Sequence, residues 1–238
     1  DLINKWHLEK KDKDNEKSVP IKPITFWIEN TTPYELRPLI KNAVLAWNIA
    51  FEEAGFIDAI EVKIQPDDAD WSAGDIRYNV LRWTSSPNPP FGGYGPSFTN
   101  PRTGEILGAD IMLEWIYLTN RVRYSEIFEN QEIRENDFCH NSLIKQENRI
   151  FGKLATEALD LNENEISRLY EEDLYQLILH EVGHTLGLNH NFAASTLHNN
   201  SDVHNPDITY KEGLSSSVMD YHALNIAPLG VEQGPVSY

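Results

Sequence analysis

Two histidines and a glutamate, His180, Glu181 and His184, have a spacing that suits metal chemistry. Apolar residues recur around them at helical intervals, which predicts one helix over residues 173–187. At ~100° per residue, side chains four positions apart lie ~40° apart and one turn above each other. Two neutral imidazoles in that arrangement can chelate one cation, for which zinc is the usual choice. Glu181 would lie about a quarter turn away, within reach of a water on the metal.

A third ligand, His190, requires the helix to end before it. Six residues beyond His184, a continuing helix would turn by ~240° and point this side chain to its far side. Gly187 stands where the chain must reverse, because glycine adopts left-handed conformations without a penalty from a β-carbon. Three imidazoles would then hold the ion and leave one coordination position open, as a catalytic zinc requires.

Residues 180–190 read HExxHxxGxxH, which resembles the metzincin clan of zinc endopeptidases. The clan implies a methionine turn downstream, and Ser-Val-Met-Asp-Tyr at residues 217–221 resembles that turn. The resemblance implies that Met219 forms a hydrophobic floor beneath the metal without binding it. Tyr221 matches the tyrosine of astacin- and serralysin-like members, whose hydroxyl approaches the zinc and assists the tetrahedral intermediate.

A narrower likeness extends over most of the chain. Residues 38–56, with their Ala-Trp-Asn and Ala-Gly-Phe triplets, and residues 100–107 resemble a bacterial family of zinc-dependent metzincins. Pappalysin-like members are the nearest competitor, because they share a Val-Gly pair between the histidines and Met-Asp-Tyr in the turn. Those members are rich in cysteine, whereas this chain contains one, Cys139.

The implied fold class is α+β. We expect an N-terminal arm over residues 1–22 and a metzincin-like catalytic domain over residues 23–238. Within that domain, residues 23–187 would form a twisted mixed sheet with a backing helix and the active-site helix. Residues 188–238 would form a small irregular C-terminal subdomain with the methionine turn. The clan adds a helix after that turn, which the glycines and prolines of residues 229–235 would interrupt, so this end is either truncated or unusual.

Local patterns predict the elements that position the motif. Thr32-Pro33 with Glu35 predicts a capped helix start, Pro38 gives an alternative start, and Gly55 predicts the end. Polar, helix-prone sequence predicts an insertion before the helix at residues 173–187, with helices at residues 144–159 and 163–170. After residue 191 the sequence is rich in Asn, Ser, His, Gly and Pro, which predicts an irregular chain. Runs of β-branched and aromatic residues predict strands at residues 24–28, 60–64, 76–83 and 106–115.

The residues and the resemblance together predict a zinc-dependent endopeptidase. One catalytic Zn²⁺ would activate water, and Glu181 would act as general base and then protonate the leaving amine. A polypeptide substrate would bind extended along an edge strand near residues 93–97, with a primed-side pocket walled by the zinc helix and the segment around Met219. Two alternatives remain open: a zinc-binding metzincin-fold module without protease activity, in a binding or scaffold role, and hydrolysis of a non-peptide amide.

The composition of the chain argues against some classes of binding partner. Twenty Lys and Arg against 37 Asp and Glu give a net charge of −17, which argues against nucleic acid and anionic membranes as partners. No apolar run reaches the ~18 residues that a spanning helix needs. The chain shows no signal peptide, yet the bacterial family likeness and the acidic charge predict an exported protein, whether periplasmic, cell-surface or secreted.

Other candidate sites have weaker patterns. The aspartates of residues 67–70 could bind calcium, but without EF-hand spacing a solvated acidic turn is favoured. Cys139 lacks the surrounding motif with which matrixin propeptides cap zinc, which favours an ordinary thiol. Solvated loop residues are the favoured interpretation, and a second metal site the alternative, for His198, His204 and His222.

Overall fold

A computed structural model describes residues 2–86, 93–114 and 163–236 of the chain. Cys139 and the predicted helix at residues 144–159 lie outside the described residues. The chain divides into two compact units, and the first comprises Asp1–Thr84, Gly95–Leu113 and Ile178–Asn189. The second contains the described residues of Ser85–Tyr94, Glu114–Leu177 and His190–Tyr238. The boundaries proposed above for an arm and two subdomains stay predictions.

The strands of a mixed β-sheet are β1 (Ile24–Ile28), β2 (Ile60–Ile64), β3 (Asn79–Thr84), β4 (Gly93–Tyr94), β5 (Ser97–Thr99) and β6 (Ile106–Glu114). The first unit contains all of them except β4 and the last residue of β6. Strand β1 lies between β2 and β3 and runs parallel to both, β6 follows β3, and β5 pairs antiparallel with β6. Phe26 and Ile28 of β1 are fully buried and their neighbours are partly exposed, so this strand buries one face as its alternating sequence predicts.

The strand predictions are confirmed at β1 and β2 and are too long at β3. Strand β3 begins at Asn79 because a turn occupies the preceding residues, with the Tyr78 amide donating to the Asp75 carbonyl at 3.0 Å. The Arg77 guanidinium donates to both carboxylate oxygens of Asp75, and these hydrogen bonds lower the pKa of that carboxyl to about 2. The predicted edge at residues 93–97 corresponds to the short strands β4 and β5.

The backing helix, α1 (Arg37–Glu53), packs against β1 and β2. It begins after Leu36 with no side-chain cap, so the predicted capping box at residues 32–35 is wrong. Pro38 explains the later start, because proline fits the first helical turn but in the interior removes a hydrogen bond and clashes with the preceding turn. The predicted end is confirmed, since Gly55 has a φ of +93° just after the helix.

The metal-motif helix, α2 (Glu163–Thr185), is longer than predicted. It joins the two helices expected at residues 163–170 and 173–187, because the first glycine or proline after residue 163 is Gly183. The chain beyond it is less irregular than predicted, with a 3₁₀ helix at Phe192–Thr196 and α3 at Pro206–Glu212. The Asn205 side chain caps α3 by accepting from the Asp207 amide at 3.1 Å, a helix start signal that the prediction missed.

The C-terminal segment of the second unit, residues 213–236, contains no helix in its described part. Side chains hold it instead: the Val236 amide donates to the Glu172 carboxylate at 2.8 Å, and Arg168 donates to the Gly234 carbonyl at 2.7 Å. Among the described residues, no helix has the length and apolar character needed to cross a membrane.

Candidate metal centre

The helical part of the motif is placed as its spacing predicts. His180 and Glu181 are fully buried on α2, and His184 is half-buried one turn further on. The two imidazole rings lie 4.8 Å apart between centroids at an angle of 84°. Buried Leu177, Ile178 and Val182 anchor the apolar face of the same turns, so the helix fixes both imidazoles by packing rather than by loops.

The tautomer of His184 follows from its hydrogen bond. Its Nδ1 lies 3.0 Å from the carbonyl oxygen of Leu188, and because a carbonyl can only accept, Nδ1 carries the proton. Nε2 therefore presents a lone pair, as a metal ligand must. Burial lowers the pKa of His184, opposed in part by that hydrogen bond, so the neutral, ligating form is favoured.

The helix ends where the third ligand requires it. Gly187 has a φ of +95°, which confirms the predicted left-handed turn. The Leu188 amide donates to the Gly183 carbonyl at 3.1 Å and the Gly187 amide to the His184 carbonyl at 3.0 Å, which is the Schellman pattern. A second reason also requires glycine at residue 187, because a β-carbon there would overlap the carbonyl oxygen of Asn4.

An N-terminal segment braces this helix end, which the sequence did not predict. The Trp6 indole nitrogen donates to the Thr185 carbonyl at 2.9 Å. The Lys5 amide donates to the Gly104 carbonyl at 3.0 Å, and the Ile106 amide returns to the Lys5 carbonyl at 2.9 Å. Residues 4–6 therefore connect the start of β6 to the end of α2, and the isolated tryptophan in a polar segment was the available signal.

The third histidine is held by a loop. His190 is exposed, and its Nε2 lies 2.6 Å from the Tyr221 hydroxyl. Phe192 contacts both rings, at centroid distances of 5.4 Å from His190 and 5.1 Å from Tyr221. Met219 is 2% exposed, and its carbonyl accepts from the Asn191 amide at 2.9 Å. Met219 is therefore hydrogen-bonded to the residue that directly follows the third histidine.

Three ring nitrogens are brought together for a metal. One nitrogen from each of His180, His184 and His190 lies within 4.8 Å of the others. A tetrahedral zinc with 2.0–2.1 Å bonds would separate its ligand nitrogens by about 3.3 Å, so the donor set fits the ion after a small closure. Within the described residues, His198 is not part of this cluster, and its Nε2 lies 2.7 Å from the Gly213 carbonyl.

The edge of the sheet approaches α2 at Gly95, between β4 and β5. A β-carbon at this position would lie 2.5 Å from the carbonyl oxygen of Glu181. The backbone can therefore run this close to the helix only because residue 95 is glycine. The sequence signal is the cluster of glycines around Tyr94, which is typical of a loop or of a short irregular edge strand.

A cavity of about 470 Å³ lies in the second unit, beside the residues that precede Met219. Glu172 and Gln176 of α2 line one side, and Ser217 and Val218 line another. Gln176 also bridges these walls, because its side-chain nitrogen donates to the Val218 carbonyl at 3.4 Å. The assignment of a primed-side pocket to this part of the chain stays a prediction.

Comparisons with known proteins reach the same part of the chain. Residues 162–238 match a family model described as Met-zincin. Searches of curated proteins and of solved structures each returned no significant match. The matched residues contain all three clustered histidines, and both observations fit the resemblance seen in the motif. Residues 162–238 are therefore similar to the Met-zincin family, and the placement of their three histidines is compatible with a zinc metallopeptidase-like module.

Proposed function

We propose that this chain is a zinc-dependent endopeptidase. The observation that carries the proposal is the convergence of His180, His184 and His190 within 4.8 Å, with the buried carboxylate of Glu181 next to the first ligand. A structural zinc site usually takes four protein ligands, whereas three leave a position for water and substrate. The metzincin-type match over residues 162–238 supports the same class of chemistry.

The chain's own residues divide the chemical work. The three histidines hold the zinc, which when bound supplies a Lewis acid that activates water and polarises a carbonyl. Glu181 accepts a proton from the attacking water and delivers it to the leaving amine. The Tyr221 hydroxyl, which lies 2.6 Å from His190, donates a hydrogen bond to the oxyanion that develops on the substrate. Met219 provides an apolar floor beneath the metal without binding it.

The substrate would be an extended polypeptide. Strand β5 pairs with β6, and Gly95 brings the chain just before β5 against the carbonyl of Glu181. A peptide that adds a strand at this edge gains main-chain hydrogen bonds that fix its register. The cavity lined by Gln176 and Val218 would take a side chain of that peptide.

The decisive experiment combines metal analysis with proteolysis. Purified protein should contain one zinc per chain and cleave unfolded casein, and a chelator should abolish cleavage until zinc is restored. Zinc without cleavage would instead support the module in a binding or scaffold role, and cleavage of a non-peptide amide alone would support the third class. Absence of bound zinc under these conditions would refute all three.

A further inference from the structure

Asp220, the residue between Met219 and Tyr221, is a buried carboxylate that no step above uses. It is 2% exposed. Its Oδ1 accepts from the Tyr221 amide at 2.7 Å, and its Oδ2 accepts from the hydroxyls of Ser195 and, at 3.3 Å, Ser215. Among the described residues no cation pairs with it, so hydroxyl and amide donors alone offset its desolvation.

These hydrogen bonds join two segments that are distant in sequence. Ser195 lies in the 3₁₀ helix that follows His190, whereas Ser215 belongs to the turn that leads to Met219. Two backbone hydrogen bonds run between the same segments, from the Asn191 amide to the Met219 carbonyl at 2.9 Å and from the Ser216 amide to the Ala194 carbonyl at 3.2 Å. The Ser216 hydroxyl also donates to the Ala194 carbonyl at 3.4 Å, and the bond between Ser195 and Asp220 joins two side chains across the same segments.

The geometry points to Asp220 as the positioning residue of the third histidine. Its Oδ2 ties Asp220 to the segment that carries His190, and its Oδ1 fixes the backbone of Tyr221, whose hydroxyl contacts His190. Asp220 therefore holds both ends of the contact between Tyr221 and His190 without touching either side chain's reactive atoms. This inference rests on the proposed zinc role of His190, and Asp220 acts through that residue.

The serines provide a matched pair of variants. Ser195→Ala removes the link to the His190 segment, whereas Ser215→Ala removes a hydroxyl from within the methionine-turn segment. Zinc affinity, measured by competition with a chromophoric chelator, should fall about tenfold in Asp220→Ala, the lower end for residues that orient ligands. Ser195→Ala should show part of that loss and Ser215→Ala little, and Ser195→Ala should add nothing to Asp220→Ala, because the two residues share one interaction.

A spectroscopic readout separates positioning from general destabilisation. Cobalt(II) loaded in place of zinc should give an absorption spectrum in Asp220→Ala that moves toward that of His190→Ala. Asp220→Asn keeps an acceptor for the Tyr221 amide, and an amide group can donate to the serine hydroxyls, so it should restore much of the wild-type spectrum. Lowered thermal stability with an unchanged spectrum and zinc affinity would overturn the inference.

Hydrogen–deuterium exchange of the metal-free protein tests the inference independently of the zinc proposal. The Asn191 amide should exchange faster in Ser195→Ala and Asp220→Ala than in Ser215→Ala. Equal exchange in the two serine variants would overturn the positioning role even if no metal bound. Faster exchange in Ser195→Ala together with no zinc in the wild type would refute the proposed function, but it would establish that the hydrogen bond between Ser195 and Asp220 holds the segment after His190. Ser195→Ala also covers the case in which Asp220→Ala does not fold, because it deletes only one hydroxyl from an exposed residue.

Discussion

Two regions supply the candidate metal site, and they are held in place differently. In the helix half, His180, Glu181 and His184 inherit their spacing from α2, and packing buries the first two completely. In the loop half, His190, Met219 and Tyr221 depend on hydrogen bonds between segments that are separated by tens of residues. The comparison shows that local periodicity is sufficient to preset two ligands, whereas the third needs long-range contacts.

Removing one ligand from each half gives the largest expected difference. In His190→Ala, the helix pair still chelates zinc weakly, because its two nitrogens stay preset by α2. In His180→Ala, no preset pair remains, and zinc affinity should fall more than about 100-fold, beyond the range seen for residues that only orient ligands. Chelator competition on folded variants measures both values. Equal losses would contradict the idea that the helix presets the site.

The next largest effect concerns turnover rather than binding. Glu181→Gln keeps the size of the side chain but cannot accept a proton, so cleavage should slow at least about 100-fold. Zinc content should stay at the wild-type level, because the helix half keeps both imidazoles. Wild-type cleavage rates in this variant would end the assignment of Glu181 as general base.

The helix end can be tested with two glycines of similar backbone conformation. Gly187 and Gly230 have φ values of +95° and +82°, so alanine at either position should cost about 1–2 kcal/mol of unfolding free energy. Only at residue 187 would a β-carbon also overlap the Asn4 carbonyl, since nothing lies within 4 Å of such an atom at residue 230. Urea unfolding should therefore show the larger loss for Gly187→Ala. Equal losses would mean that the N-terminal segment does not brace the helix end.

The smallest expected effect is a change in stability at Asp110, a residue that belongs to neither half of the candidate metal site and serves as a control. Burial raises the pKa of Asp110 in β6, opposed by a hydrogen bond from the Val80 amide and by the charge of Arg82. The folded protein then holds this proton more tightly than the unfolded chain, so stability falls as pH rises through the raised pKa. The Asp110→Asn variant has no carboxyl that can ionise at this position. Its free energy of unfolding relative to wild type should therefore rise between pH 4 and pH 7. Zinc affinity should not change, and no improvement would place the carboxyl in water.

The sequence predicted the helix half better than the loop half for a physical reason. Spacing alone placed His180 and His184 on one face, and the need for a chain reversal identified Gly187. The family resemblance predicted only that the Tyr221 hydroxyl would approach the metal. Its contact with His190 was not predicted, because no local sequence pattern shows which loops contact each other. The hydrogen bonds from Trp6 to Thr185 and from Ser195 to Asp220 were not predicted, since both are tertiary contacts between residues that are distant in sequence.

The errors in the predicted helix and strand bounds also have physical causes. Pro38 overrode a good capping signal at residues 32–35, because a proline ring excludes the helix interior more strongly than a cap stabilises its start. The turn at Asp75 and Arg77 displaced the start of β3, because side-chain hydrogen bonds compete with strand pairing. Strands β1 and β2 had no such competitor and matched their predicted bounds.

X-ray diffraction at the zinc absorption edge, on crystals of the zinc-loaded protein, tests the central claim most directly. We expect a single anomalous peak per chain, with ring nitrogens of His180, His184 and His190 at about 2.0–2.1 Å and one position left to solvent. A peak on other residues, a fourth protein ligand, or His190 turned away from the ion would contradict it.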